Sequence, residues 1–504
     1  MPKKRPHQLL AESLKEANFI AKDGILQSNE IERKHRERLM AAGCLMEVMR
    51  GWYLLTSPDN RGGSTVWFGG FWSFVRHYLS FRFGRGEFCL SAESSLNLHA
   101  GETTIPKQIV IHTKKASNSV LELPHNTSIV LVRDSNFPEN LEEINEIGIM
   151  AIPLALCRIG PSYFRRAPRN IELVLKLSTS SVAEISRTLL RENSIASAER
   201  IVGAFKYLGE EQKSNQIKLD LVAAGYNIKD VNPYDAYKPQ LKERIVSPYV
   251  GRLRLMWNAM REVVDEIMQK PPGIHGENAN VIRVIQENYR KDAYHSLSIE
   301  GYQVTEDLIS RIESGEWDPD NIEADRLQKD ALAAKGYQNA FKSVIASISK
   351  VLNKVDSAKI LEEDLQTWYR ELFTPLLKAN LFQVEKLAGY RDSPVYITGS
   401  RHVPPPYHAV PDCMETLFDL LKNESHAGIR AILGHFIFVY IHPYWDGNGR
   451  IGRFIMNFML ISGGYKWTVI RNERRDEYMS SLEKASTRED ISDFAHFIKS
   501  EMKF

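Results

Sequence analysis

The feature that most restricts this chain is a pair of strongly apolar runs joined by a short polar loop near the C-terminus. HAGIRAILGHFIFVYI, residues 426–441, is followed by HPYWDGNG and then by RIGRFIMNFMLISGG. The first run reads as an apolar helix that delivers His442 at its end, where Pro443 stops regular hydrogen bonding. The second run begins another helix, with Arg450 and Arg453 in its first turn and a stop near Gly463. Between them, Gly447, Asn448 and Gly449 can bend the backbone so that several N–H groups face one point just before a helix N-terminus. Such a point binds phosphate.

Each neighbour has a use in that setting. Asp446 is a hard oxygen ligand, and Mg2+ is commonly held by one or two carboxylates together with substrate phosphates. Arg450 and Arg453, spaced i, i+3, can approach a polyphosphate from one side of the helix. His442 titrates near neutrality and can take a proton from an incoming hydroxyl. Taken singly, the histidine reads as a satisfied buried side chain, Asp-Gly as a turn and the arginine pair as a solvated face. Gathered in one loop, they point to phosphoryl or nucleotidyl transfer.

The remaining sequence bounds the setting. A length of 504 residues suits two or three domains, and a net charge of +2 argues neither for nor against a polyanionic partner, so any basic footprint must be local. Cys44, Cys89, Cys157 and Cys413 form no C-x-x-C pair, so buried thiols are expected, not zinc or disulfides. With no apolar run long enough for a membrane span and no leader-like start, a cytoplasmic protein without a membrane partner is expected.

Residues 1–60 read as a winged helix-turn-helix-like domain. Its first helix covers 8–22 with Leu9, Leu10, Leu14 and Phe19 on the apolar face, its second runs from Ser28 to Gly43, and a hairpin turns at Arg50-Gly51. Lys34, Arg36 and Arg38 are candidate DNA contacts, although a charged solvated face accounts for the same residues. Residues 61–240 mix strand-like QIVIHT and TSIVLVR with helix-like SVAEISRTLLREN, an α+β domain of unassigned role. From 241 to 504, long amphipathic helices dominate, among them RLRLMWNAMREVVDEIMQK, EADRLQKDALAAKGYQNAFKSVIASISKVL and EEDLQTWYRELFTPLLKAN. Pro271 and Pro272 break one, and 273–278 form a loop.

HPYWDGNGRIGR resembles the Fic signature H-x-F-x-D/E-G-N-G-R-x-x-R, with Tyr444 replacing the aromatic Phe. The stretch AGYRDSPVYITGSRHVPPPYHAVPDCMETLFDLL resembles the Fic flap, a hairpin that holds a target peptide by strand addition. RNERRDEYMSSLEKA resembles the helix on the adenine side. The resemblance implies an all-α Fic fold with a β-hairpin flap, and transfer of AMP from ATP to a Ser, Thr or Tyr hydroxyl of a target protein or of the chain itself. His442 would be the base and Asp446 the Mg2+ ligand. Gly447, Asn448, Gly449, Arg450 and Arg453 would hold the phosphates, and Thr398, Gly399 and Tyr478 would contact the nucleotide. Gly449 stands where phosphate-transferring relatives have lysine. Removal of AMP and transfer of phosphocholine remain open.

Upstream, SLSIEG fits the family's inhibitory pattern S/T-x-x-x-E-G/N, on a helix near 287–303. The resemblance implies that Glu300 pairs with Arg453, with Ser296 and Gly301 completing the motif, because a carboxylate and a phosphate compete for one guanidinium fork. A helix end stopped at Glu300-Gly301 and followed by a Thr305 cap is the alternative. The start of the chain, with CLSAESSLNLHAG and IPKQIVIHT, resembles AbiEi-type antitoxin regulators. That likeness implies a DNA-binding regulator whose Fic half is regulatory. Related proteins often use dimerisation as part of regulation, and the sequence leaves the oligomeric state open.

Overall fold

A computed structural model describes residues 5–58, 63–115, 118–177, 181–242, 244–317 and 329–503. The chain divides into two bodies: residues 1–251 with Tyr396–Val403, and Arg252–Val395 with Pro404–Phe504.

The first body begins with helix Pro6–Ile20, strand β1 (Ile25–Gln27), helix Arg33–Ala41 and strands β2 (Leu45–Met49) and β3 (Trp52–Leu55). The strands form an antiparallel sheet in the order β1-β3-β2, and the expected turn sits at Gly51 with φ +83°. Two details differ from expectation. The second helix starts at Arg33 and not at Ser28, because Ser28 N–H donates to Gly51 O and residues 28–31 turn back on the sheet. Phe19 is 87% exposed, the inward positions of the first helix being Ser13 and Ala17.

After helix Ser64–Phe83 comes a mixed sheet of β4 (Phe88–Leu90), β5 (Gln108–Thr113), β6 (Ser119–Leu123) and β7 (Thr127–Arg133), ordered β4-β5-β7-β6. QIVIHT and TSIVLVR pair in parallel as β5 and β7. A small hairpin of β8 (Glu142–Ile144) and β9 (Ile147–Ile149) precedes six helices ending at Ala223. The boundary expected at 60/61 lies outside the described residues. An apolar core runs across it, joining Ile25, Trp52 and Leu54 to Trp67, Phe71, Ile109 and Ile129.

The second body is helical. It begins at Arg252, within helix Pro248–Ile267, and helix Asn278–Glu287 follows the diproline loop. The helix expected from Glu323 is described from Lys329 to Leu352, its first residues lying outside the described set. It packs on Ser357–Lys378, and Ala427–Ile441 packs on Asn448–Ser462. Almost every residue of this last pair is buried, as runs apolar all round require.

The hairpin expected for the flap does not form. Pro394 and Pro404–Pro406 have no N–H to donate, and the residues between them bond within the first body instead. Ile105 N–H donates to Arg401 O at 2.8 Å, Gly399 N–H donates to Thr65 Oγ1 at 2.9 Å, and Thr104 and His402 form an isolated antiparallel bridge.

Candidate active site

The site is built where helix Ala427–Ile441 ends. His442 caps it in the left-handed region, φ +52° and ψ +58°, with its N–H donating to Phe438 O at 3.0 Å. The imidazole Nδ1 lies 3.2 Å from Val439 O. Assigning the proton to Nδ1 satisfies that carbonyl and leaves Nε2 as the acceptor. Burial pushes the His442 imidazole down to about 4. Arg391 acts in the same direction, and the Val439 carbonyl, Glu300 and Asp446 act against it. His442 is therefore neutral at neutral pH, the state a general base requires.

The loop is closed by Asn448, whose Oδ1 accepts from Tyr444 N–H at 3.0 Å while its Nδ2 donates to Tyr444 O at 2.8 Å. The Asn448 side chain thus holds the loop, leaving its backbone N–H to face a ligand. Gly447 caps the following helix with φ +78°, and a Cβ there would lie 2.9 Å from the Phe373 ring. Both facts require glycine. The first intrahelical bond runs from Ile451 N–H to Gly447 O. The N–H groups of Asn448, Gly449 and Arg450 therefore have no intrahelical acceptor and stand at the positive end of the helix.

Two buried arginines flank this point. Arg450 Nη2 donates to Asp446 Oδ1 at 3.2 Å, and its guanidinium lies over the rings of Tyr302 (5.1 Å) and Phe373 (5.2 Å). Arg453 donates from Nε to Ser296 Oγ at 2.9 Å, and from Nη2 to Ser296 O at 2.9 Å and Glu300 Oε1 at 2.7 Å. Burial opposes the Arg453 charge, but Glu300 more than compensates and keeps the guanidinium above its ordinary range. Among the described residues, Arg450 Nε and Nη1 and Arg453 Nη1 are buried without an acceptor. Buried, unsatisfied cationic donors beside a free helix N-terminus fit a polyphosphate.

Asp446 is exposed, and its Oδ1 accepts from Gly447 N–H and Arg450. No cluster of three or more His, Cys, Asp or Glu able to hold a metal occurs among the described residues. One carboxylate beside a polyphosphate cradle suits Mg2+, which keeps much of its water and shares its ligands with substrate. Tyr478 is 1% exposed, with its hydroxyl 2.9 Å from His435 Nε2. Thr398 and Gly399 belong to the first body, where Gly399 is held by Thr65.

Ser296 and Glu300 lie at the end of helix Tyr289–Ile299, and Gly301 follows with φ +87°. Thr305 caps the next helix through a bond from Leu308 N–H, so the helix-end reading and the pairing with Arg453 hold together. Gly449 has a clear role here: a Cβ would lie 2.3 Å from Glu300 Oε1. Sequence reasoning missed Tyr302, Arg391 and His435. Only His435 carried a signal, standing two helical turns before His442.

In the first body, Lys34 pairs with Glu32 at 2.6 Å. Arg36 donates to Ser28 O at 2.9 Å, and Arg38 donates to Leu9 O at 3.1 Å and Ser13 Oγ at 2.7 Å. Both arginines thus tie the small domain together. The four cysteines are free and buried, and burial pushes Cys89, Cys157 and Cys413 up to about 12. No helix among the described residues is long and apolar enough to cross a membrane.

Residues 359–460 match the model of the Fic/DOC family. Over those residues the chain is similar to a Fic domain. A probable protein adenylyltransferase of Aquifex aeolicus is 36% identical over 129 residues, 25% of this chain and 38% of that protein. The protein adenylyltransferase Fic of Drosophila willistoni is 29% identical over 231 residues, 45% of this chain and 42% of that protein. The chain thus spans about two fifths of the length of these relatives. Among solved structures, residues 134–508 of Fic-1 from C. elegans align with a TM-score of 0.37 at 20% identity, over 67% of this chain and 90% of that one.

Proposed function

We propose that the chain is a protein adenylyltransferase that moves AMP from ATP to a hydroxyl of a target protein and is held off by Glu300. The observation that carries this reading is the meeting of a neutral His442 with two buried arginines whose remaining donors lack acceptors, one of them bonded to Glu300. The relatives named protein adenylyltransferase support the same chemistry.

The triphosphate lies along the free N–H groups of Asn448, Gly449 and Arg450, with Arg450 and Arg453 on its outer oxygens. His442 Nε2 takes the proton from the target hydroxyl. The hydroxyl oxygen attacks the α-phosphorus as the bond from that phosphorus to the bridging oxygen breaks, and pyrophosphate leaves with its charge held by the arginines and the helix terminus. Mg2+ on Asp446 supplies further charge neutralisation when bound. Gly449 stands where the phosphate-transferring relatives that the motif resembles carry lysine, and that resemblance favours transfer of AMP over transfer of phosphate. Glu300 opposes the reaction by occupying Arg453 Nη2.

The test is transfer of label from α-phosphate-labelled ATP with Mg2+ by the natural chain, Glu300→Gly, and Glu300→Gly with His442→Ala. Label should appear with the first change and vanish with the second. ATP bound without label in any of the three would refute the reading.

A further inference from the structure

Arg391 is 3% exposed, and every bond it makes among the described residues goes to a backbone carbonyl. Its own N–H donates to Pro443 O at 2.9 Å. Nε donates to His442 O at 2.9 Å, Nη1 to Ser393 O at 3.1 Å, and Nη2 to Pro405 O and, at 3.4 Å, Ile441 O. Burial without a carboxylate partner lowers its pKa to about 10. A cation in such surroundings is costly unless the fold uses it, and a hydrophobic residue would fill the space at lower cost.

Its use is visible in which carbonyls it holds. Ile441, His442 and Pro443 are consecutive and bracket the left-handed residue that ends the helix, a conformation strained for a side chain with a Cβ. The guanidinium holds the carbonyls of Ile441 and His442, the two peptide planes that set the His442 Cα–Cβ direction, while the Arg391 backbone N–H holds Pro443 O. The same guanidinium sits at the negative end of helix Ala427–Ile441, where a cation is favourable. Ser393 and Pro405 lie on either side of the segment 396–403, so one side chain also closes the base of that excursion against the loop.

We infer that Arg391 is a positioning residue for His442, its guanidinium aiming Nε2 through the carbonyls of Ile441 and His442. This rests on the reading of His442 as the base. The charged groups acting on the imidazole are Arg391, Glu300 and Asp446, together with the Val439 carbonyl.

The test uses the full chain carrying Glu300→Gly, with Arg391→Lys and Arg391→Gln added. Lysine keeps the charge but cannot span four carbonyls, so kcat should fall about tenfold or more while KM for ATP stays within about twofold. Glutamine also removes the charge, so the His442 resonance, identified by its loss in His442→Ala, should titrate at higher pH than in the parent. Should Arg391→Gln fail to fold, Arg391→Lys carries the kinetic test. Full kcat in folded Arg391→Lys, or a loss shared equally by kcat and ATP binding, would overturn the inference. If the Glu300→Gly parent transfers no AMP, the proposed reaction fails. The His442 resonance then decides Arg391 separately: a signal unmoved in both variants overturns its role, and a displaced one supports it.

Discussion

Glu300→Gly is the change whose size can be worked from the structure. Glu300 Oε1 accepts from Arg453 Nη2 at 2.7 Å, with the glutamate side chain 31% exposed and the arginine side chain 4% exposed. A hydrogen bond to a charged group contributes about 1.5–3 kcal/mol net, and partial exposure of the carboxylate places this one near 2 kcal/mol. If that is the bias toward the closed arrangement, roughly 3% of molecules offer Arg453 to a γ-phosphate, and removing it should raise kcat/KM for ATP about 30-fold.

Stability should move the opposite way. Without Glu300, Arg453 stays buried on Ser296 Oγ and O alone. A loss of about 2 kcal/mol lowers the melting temperature by several degrees in a body of this size. ATP supplies a replacement anion, so saturating ATP should raise the melting temperature of the variant more than that of the natural chain. Initial rates across ATP concentrations and thermal melts with and without ATP measure both effects. A change in kcat/KM below about threefold, with the same ATP-induced shift in both proteins, would refute competition between carboxylate and phosphate.

Gly449→Ala places a Cβ 2.3 Å from Glu300 Oε1; the carboxylate must leave Arg453, so this variant should lose the additional effect of Glu300→Gly, which a double-mutant cycle on melting temperature detects. His435 and His442 are both held at about 4 by burial, so the unfolded state binds up to two more protons and stability should fall as pH drops from about 6.5 toward 4. Asp292, raised to about 6 by burial, binds its proton in the folded state and acts in the opposite sense. Denaturant melts across that pH window, repeated with Asp292→Asn, check the sign: the variant should show the steeper loss on acidification. Arg38→Ala should lower the melting temperature by removing bonds to Leu9 O and Ser13 Oγ; weakened, salt-dependent DNA binding with unchanged melting would instead place Arg38 on phosphates.

Elements whose cause is local were legible in the sequence. The run expected over 426–441 is helix Ala427–Ile441, and its partner ends at Ser462 beside Gly463. Apolar content, Pro443 and the Gly-Asn-Gly loop specify both without help from distant residues. The hairpin at Gly51 and strands β5 and β7 were readable for the same reason. The onset of the second helix was not, because Ser28 answers to Gly51 across the sheet and not to its own N-cap preference.

The partners of the site were legible only in part, and the reason is sequence distance. Ser296 and Glu300 share a helical turn, so the sequence groups them, but only a family pattern links them to Arg453, more than 150 positions away. Arg391 lies 51 positions from the carbonyl it holds, in a stretch whose composition suggests only a loop. The flap was misread for the same physical reason. A strand-like segment forms a hairpin only if its own neighbour satisfies its backbone, and here prolines prevent that while Ile105, 296 positions earlier, takes up Arg401. Chemistry carried by consecutive residues is visible in one dimension. The hydrogen bonds around such residues come from wherever the fold supplies an acceptor, so the proposed base was legible in its motif and its proposed positioning residue only in the structure.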